Sequence, residues 1–295
     1  VAVIIPTHNR SRLVAEAIDS VLAQTFRDLE AVVVDDGSTD DTPAVLRGRF
    51  GSESRVRSLR QERTGPAAAR NRGIRASSSD LVAFLDSDDL WLAEKLALQV
   101  ARLDAEPAAP FCFCDRVTDA RTMRGSRFRA KGFAGDTTLR GMVEKGFPLS
   151  TPSVVIRRSV LDRVGLFDES LAGAEDWDLW IRALAEGPAA CVERPLTVVR
   201  PQPDSLSRSR AVEKWACMLR VWEKHDALLR HAGCSVRLLS RRRAGAHRRL
   251  ARALATLGRN DEAAGQALAW WRCRPWNPYP LLVWTGLALR RAAAR

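Results

Sequence analysis

The stretch that most constrains this chain is Leu81–Trp91, which reads LVAFLDSDDLW. Leu81, Val82, Phe84 and Leu85 leave no gap for a solvated face, so the segment reads as a strand buried on both sides, as in a parallel sheet covered by helices. It stops abruptly at Asp86, Asp88 and Asp89. Carboxylates this close repel one another unless a cation or a donor-rich ligand neutralises them, and a divalent metal is the obvious partner. In open α/β sheets ligands bind off the carboxyl ends of the strands, which is where these acids fall. The competing reading is a helix over Leu90–Leu103 capped by Ser87 or Asp88, with acids favoured in its first turn.

The same pattern recurs upstream. Val1–Ile5 is apolar throughout and ends at Pro6, and Arg12–Gln24 carries Leu13, Ala17, Val21 and Leu22 at helical spacing. Thr7, His8, Asn9 and Arg10 fill the turn between them. Ala31–Val34 repeats the buried strand and closes with Asp35, Asp36, Gly37 and Ser38, followed by a helix over Thr39–Arg49. Arg55–Leu59 is a weaker strand and Gly65–Ala76 a third helix. This β-α-β-α-β-α-β alternation predicts a parallel, doubly wound sheet.

Further on, Phe111–Cys114, Pro152–Arg157 and Ala190–Val199 read as strands, Asp162–Phe167 as a short segment and Ala174–Glu186 as a helix. Arg116–Gly146 is polar and dotted with glycine, a hairpin or a mobile loop. The loop Pro201–Ser209 has two prolines and several turn formers, which sets a boundary between residues 1–207 and 208–295. Beyond it the pattern is helical: Arg241–Leu257, a turn, Asp261–Cys273, a break, and Leu281–Arg291. This is loosely like one tetratricopeptide unit, and one unit cannot form a repeat array.

The net charge of +12 is confined to the second part. Residues 1–207 hold 28 Lys and Arg against 30 Asp and Glu, whereas residues 208–295 hold 19 against 5. Arg outnumbers Lys 42 to 5, a bias that GC-rich coding alone produces, so basicity is weak evidence for a phosphate-binding surface. The six cysteines are scattered through a chain much larger than a disulfide scaffold and read as reduced, with Cys112 and Cys114 as buried core thiols. The opening VAVIIPTHNR reads as a strand and not as a signal peptide. The longest apolar run, Tyr279–Leu289, falls short of the ~20 residues that span a bilayer. The expected location is the cytoplasm or the inner membrane face.

Taken together, PTHNR, VDDGSTD and DSDD at three strand ends, with Arg70 and Asn71 of GPAAARNRGI opening onto the same crevice, resemble the inverting family 2 glycosyltransferases. The resemblance covers residues 1–207 and lies in the order and spacing of the motifs rather than in any one of them. It implies a GT-A fold, a Rossmann-like, mostly parallel sheet flanked by helices with a C-terminal helical appendage. It also implies transfer of a sugar from a nucleotide-diphosphate sugar, a UDP-sugar first among them, to an acceptor hydroxyl with inversion, in bacterial cell-envelope polysaccharide or glycan assembly.

Position by position, the resemblance assigns Thr7, Asn9, Arg10 and Asp36 to the pocket for the donor's base and ribose, with Asp36 accepting from a uracil-type N–H. Arg70 corresponds to a basic contact to base or phosphate, Asp86 to the ribose contact, and Asp88 to the ligand of a Mg²⁺ or Mn²⁺ on the diphosphate. Carboxylate oxygen suits such hard, partly hydrated cations. Glu175 and Asp176 in AEDWDLWIRALAEG match the family's acidic pair, with Asp176 as catalytic base. Helix capping, turn formation and first-turn acids explain the same residues one at a time without any ligand. Trp177 and Trp180 are either core or a floor for a sugar acceptor.

The family often has an aromatic, then Arg, a residue and His; here the chain reads Val199, Arg200, Pro201, Gln202. Arg200 can still meet the diphosphate, but Gln202 lacks a cationic or metal-binding imidazole.

A catalytically inactive nucleotide-sugar-binding protein is the main alternative. A nucleotidyltransferase would be expected to carry a Gly-rich phosphate loop after the first strand, and PTHNR has none. A paired-carboxylate hydrolase would leave the nucleotide-binding set without purpose. The tail has no nucleic-acid reading motif. Its excess charge and six of the nine Trp residues suit either the anionic inner face of a membrane, where a lipid-linked glycan acceptor would be presented, or packing of a helical appendage.

Overall fold

The computed structural model describes residues 1–118, 135–146, 149–202 and 210–284. Its centre is one eight-stranded sheet. The strands are β1 (Ala2–Thr7), β2 (Glu30–Asp36), β3 (Val56–Gln61), β4 (Leu81–Phe84), β5 (Leu90–Trp91), β6 (Phe111–Val117), β7 (Val154–Arg157) and β8 (Ala190–Val198), in the order β3-β2-β1-β4-β7-β6-β8-β5. β1 to β4 are mutually parallel, as the alternation predicts. β7 then runs antiparallel to both β4 and β6, while β8 is parallel to β6. The sheet is therefore mixed rather than wholly parallel. β7 is entered through a 3₁₀ turn at Thr151–Ser153.

In the parallel half the strands are apolar because helices cover both faces. β1 is buried at every position, and β2 at all but its first. Against them pack α1 (Ser11–Leu22), α2 (Thr42–Phe50) and α3 (Pro66–Ala76). Gly73 lets α3 lie close on the sheet, since a Cβ there would fall 2.5 Å from Ile4 Cγ2. Beyond these come α4 (Lys95–Ala105), α5 (Leu139–Lys145), α6 (Arg158–Val164) and α7 (Glu175–Leu184).

The Leu90–Leu103 helix forms only from Lys95 onward. Leu90 and Trp91 instead pair antiparallel with Val198 and Thr197. Trp91 is buried and its indole N–H donates to Pro152 O at 2.8 Å, and Gln24 caps the delayed helix by accepting from Leu96 N at 3.0 Å. Burying the indole with its hydrogen bond made outweighs an earlier helix start. Asp86–Asp89 is consequently a tight turn, with Asp89 N donating to Asp86 O at 2.9 Å, and its acids cap no helix.

The chain divides into two compact units, Val1–Glu169 with Leu179–Pro203, and Ser170–Asp178 with Asp204–Arg295. In the first, Trp180 is core: it is 1% exposed and lies with Phe84, Phe111 and Phe167, ring centroids 5.6–6.2 Å apart, which removes it as a sugar platform. The second contains α8 (Ala211–Lys224), α9 (Asp226–His231), α10 (Val236–Thr256) and α11 (Asn260–Cys273), with a small core of Leu250, Leu254 and Ala263. Most of the 116–146 loop, the 203–209 boundary and the 285–295 end of the last expected helix lie outside the described residues.

Candidate active site

The carboxyl ends of β1, β2 and β4 lie side by side because register pairs Thr7 with Asp35 and Ile4 with Phe84. Thr7 is 3% exposed and its Oγ1 has no hydrogen-bond partner. An orphaned buried hydroxyl costs about 1–3 kcal/mol, so its position at a strand's carboxyl end suits a polar ligand. Asn9 adopts φ 50°, a conformation this residue type tolerates. Its Oδ1 accepts from Thr39 N at 2.8 Å and its N–H donates to Ser38 Oγ at 2.9 Å. Asn9 therefore ties the two strand-end loops together, with its side-chain oxygen turned onto the protein's own backbone.

Asp36 is buried and well supplied with donors. Oδ1 accepts from Gln61 Nε2 at 2.8 Å and Thr64 N at 2.9 Å, and Oδ2 from Gly65 N at 2.8 Å. A carboxylate has about four lone-pair sites. The one left on Oδ2 is what Asp36 can offer a base N–H. The turn beyond it depends on Gly37, which has φ +71° and where a Cβ would stand 2.9 Å from Arg63 N.

At the end of β4 two of the acids meet an arginine from another element. Arg10 Nη1 donates to Asp88 Oδ2 at 3.0 Å, and Arg70 Nη2 to Asp86 Oδ1 at 2.8 Å. The Arg70 guanidinium also lies 5.4 Å from the centroid of the Phe167 ring. Asn71, beside it on α3, does not open onto the crevice: it donates to Phe167 O at 2.9 Å and accepts from Phe167 N at 3.0 Å. It thereby fixes the ring on which Arg70 rests.

Arg200 closes the other side of the turn. Its backbone N–H donates to Asp89 Oδ1 at 3.0 Å, its Nε to Asp88 O at 2.5 Å, and its Nη1 pairs with Glu16 of α1. Arg200 Nη2 is buried and has no hydrogen-bond partner, leaving one donor edge for an anionic ligand. Sequence reasoning misses Glu16 and Phe167, because each acts through a contact roughly a hundred or more residues away.

Burial and the neighbouring Asp86 push the Asp88 carboxyl above its ordinary value despite Arg10. Asp89 is pushed up to about 8 by burial and then by Asp86 and Asp88. Acids disfavoured in this way are neutralised by a cation as readily as by a proton. Among the described residues no group of three His, Cys, Asp or Glu is arranged to hold a metal. The chain thus offers one or two carboxylates, 25–33% exposed, which fits an ion completed by phosphate oxygens and water better than a closed protein cage.

Glu175, Asp176 and Asp178 occupy the first turn of α7, where the helix dipole favours anions. Asp176 is half-buried and accepts from Trp177 N at 2.8 Å. Residues 170–178 belong to the second compact unit.

The order of these motifs on a sheet of this topology agrees with comparison to known proteins. Residues 2–165 match the model of the glycosyl transferase family 2, and the chain belongs to that family. An uncharacterised glycosyltransferase of Rickettsia felis is 32% identical over 202 residues, 68% of this chain and 33% of that protein. This chain thus spans about a third of that relative's length. In structure it is similar to Staphylococcus aureus TarS 1-349 in complex with UDP-GlcNAc (TM-score 0.70, 18% identity, covering 100% of this chain and 92% of that one). It is also similar to the mannosyltransferase PcManGT of Pyrobaculum calidifontis in complex with GDP-Man and Mn²⁺ (TM-score 0.62, 24% identity, 98% and 86%). At these identities the two structures establish the shared fold.

Proposed function

We propose that the chain transfers a sugar from a nucleotide-diphosphate sugar, with UDP as the preferred nucleotide, to an acceptor hydroxyl of a glycan or lipid-linked glycan with inversion. One observation carries the reading: in a family 2 glycosyltransferase, the two arginine–aspartate pairs at the end of β4 put exchangeable cations and carboxylates together at one strand end. Arg10 belongs to the pocket for base and ribose, Arg70 contacts base or phosphate, and Arg200 contributes Nη2 to the diphosphate. Asp36 accepts from the base through its remaining lone pair, Thr7 Oγ1 binds the nucleoside, and Asn9 shapes the loop. Asp86 accepts from the ribose. Asp88 would hold a Mg²⁺ or Mn²⁺, which when bound offsets charge on the departing diphosphate.

Asp176 takes the proton of the acceptor hydroxyl as that oxygen attacks the anomeric carbon and the bond to the diphosphate breaks. One base and one displacement leave no covalent sugar intermediate, hence inversion. The test is metal-dependent hydrolysis across a panel of nucleotide sugars. One or more UDP-sugars should turn over with Mn²⁺, and activity should vanish in chelator and in Asp88→Ala; full activity in excess chelator removes the metal role.

A peripheral membrane location is favoured by the surface of the second unit, where Trp276, Tyr279 and Leu282 are 56–66% exposed among Arg272 and Arg274. Among the described residues no helix is long and apolar enough to cross a membrane. Basic and interfacial aromatic residues bind anionic headgroups at about 1 kcal/mol per charge. Co-sedimentation with vesicles containing phosphatidylglycerol should fall as salt rises; no binding at low salt assigns this surface to packing.

A further inference from the structure

The segment bearing the acidic pair is fastened to the C-terminal helices along its whole length. Gly173, at φ +78°, lies so close to α8 that a Cβ would stand 3.3 Å from Lys214 Cβ. Arg220 Nη2 donates to Ser170 O at 2.7 Å, and the rings of Trp177 and Trp222 meet edge to face at 5.7 Å. At the end of the segment Asp178 is completely buried, and its Oδ1 accepts from both His225 Nε2 and Lys224 Nζ at 2.8 Å. His225 is itself locked in place: it closes α8 through its N–H to Val221 O at 3.1 Å and accepts at its carbonyl from Leu229 N at 2.9 Å.

A wholly buried carboxylate in the first turn of a helix is not required to start that helix. A solvated side chain there would serve the dipole as well. Burial with two hydrogen-bonded donors instead fixes one rotamer and one helix position. Asp176 sits two residues earlier, on the same turn.

We infer that Asp178 and His225 are positioning residues, through which the C-terminal helices hold the turn carrying Asp176 in its working orientation. The C-terminal helices then act on turnover through the turn they hold. This rests on the reading of Asp176 as the base.

The test uses the full chain and four proteins: wild type, His225→Ala, His225→Gln and Asp176→Asn. Donor-site integrity is read by calorimetric titration of UDP with Mn²⁺. Turnover is read with whichever of UDP-glucose, UDP-galactose and UDP-N-acetylglucosamine the wild type hydrolyses fastest. Local order is read by amide exchange in residues 171–178. His225→Ala should lower kcat at least tenfold with the UDP Kd within twofold, and should speed exchange in 171–178. Gln places an amide N–H close to the imidazole Nε2, so His225→Gln should restore most of the rate. A purely structural role would move UDP binding and kcat together and would show no recovery with Gln.

Unchanged kcat in His225→Ala, alongside an inactive Asp176→Asn, overturns the positioning role and leaves the base assignment standing. Near-normal turnover in Asp176→Asn overturns the base assignment and the inference with it. Should His225→Ala fail to fold, His225→Phe carries the same expectation, because it keeps the volume of the ring and removes the nitrogen that meets Asp178 Oδ1.

Discussion

The acids at the end of β4 and those at the start of α7 are held in opposite ways. Asp86 and Asp88 are a quarter to a third exposed, and each is paired with an arginine. Asp178 is fully buried with two donors on one oxygen, and the half-buried Asp176 stands on that fixed turn. A carboxylate open on one side can take up a further partner without leaving its arginine. Breaking a buried pair strands a charge and costs about 3–5 kcal/mol. The first arrangement suits a site whose charges must be shared with a ligand, and the second suits a site whose geometry must not move.

The largest expected effect separates the two regions by chemistry. Asp176→Asn should lower the transfer rate by roughly 10²-fold or more, the scale of a positioned general base. Steady-state kinetics with donor varied will show a fall in kcat at little change in donor KM; near-normal turnover takes Asp176 out of the chemistry. The product should carry inverted anomeric configuration by NMR, and a retained configuration would contradict a single displacement.

Asp86→Ala should act the other way. Loss of the ribose contact is expected to weaken UDP binding roughly tenfold, the worth of a charge-assisted hydrogen bond, and to leave the melting temperature within a few degrees. Unchanged affinity removes Asp86 from the donor site.

Much of the first region was legible in the sequence, and little of the second. β1, β2 and β4 announce themselves as uninterrupted apolar runs, and the polar turns at their carboxyl ends follow from that placement. What failed at β5 was a contest between local pattern and a distant partner: Leu90–Leu103 has helical spacing, but Trp91 gains Pro152 O as an acceptor. The partners of Asp86 and Asp88 were named as site residues, yet their pairing was not visible, since Arg10 and Asp88 are 78 residues apart. Asp178 was unreadable for the same reason. In the sequence it is one more first-turn acid, and only the approach of His225 from 47 residues away makes it different.

A smaller effect tests whether burial of charge marks function everywhere in this molecule. Lys95 is entirely buried beneath the sheet's second half, its Nζ 3.9 Å from the Trp91 ring centroid and without a hydrogen-bond partner. Burial lowers its amine to about 8, the nearby Cys114 and Cys112 partly opposing this. A depressed lysine makes the unfolded state bind more protons between about pH 8 and 10.4, so stability rises with pH across that window. Lys95→Met should therefore stabilise the fold by about 1–3 kcal/mol at pH 7, part of the gain being offset by loss of the cation–π contact. The gain should shrink as pH approaches 10, which thermal melts at pH 7, 8.5 and 10 will show. A loss of stability at pH 7 would mean that the ring alone holds the charged amine.

The most direct measurement of the division between the two regions is calorimetric titration of UDP into wild type, Asp88→Ala and Asp176→Asn, each with Mn²⁺ and with chelator. Asp88→Ala should lose the Mn²⁺-dependent part of the affinity, and Asp176→Asn should bind UDP as the wild type does in both conditions. Equal losses in the two variants, or a loss in Asp176→Asn alone, would contradict a nucleotide site built on the strand ends and a base built on the helical unit.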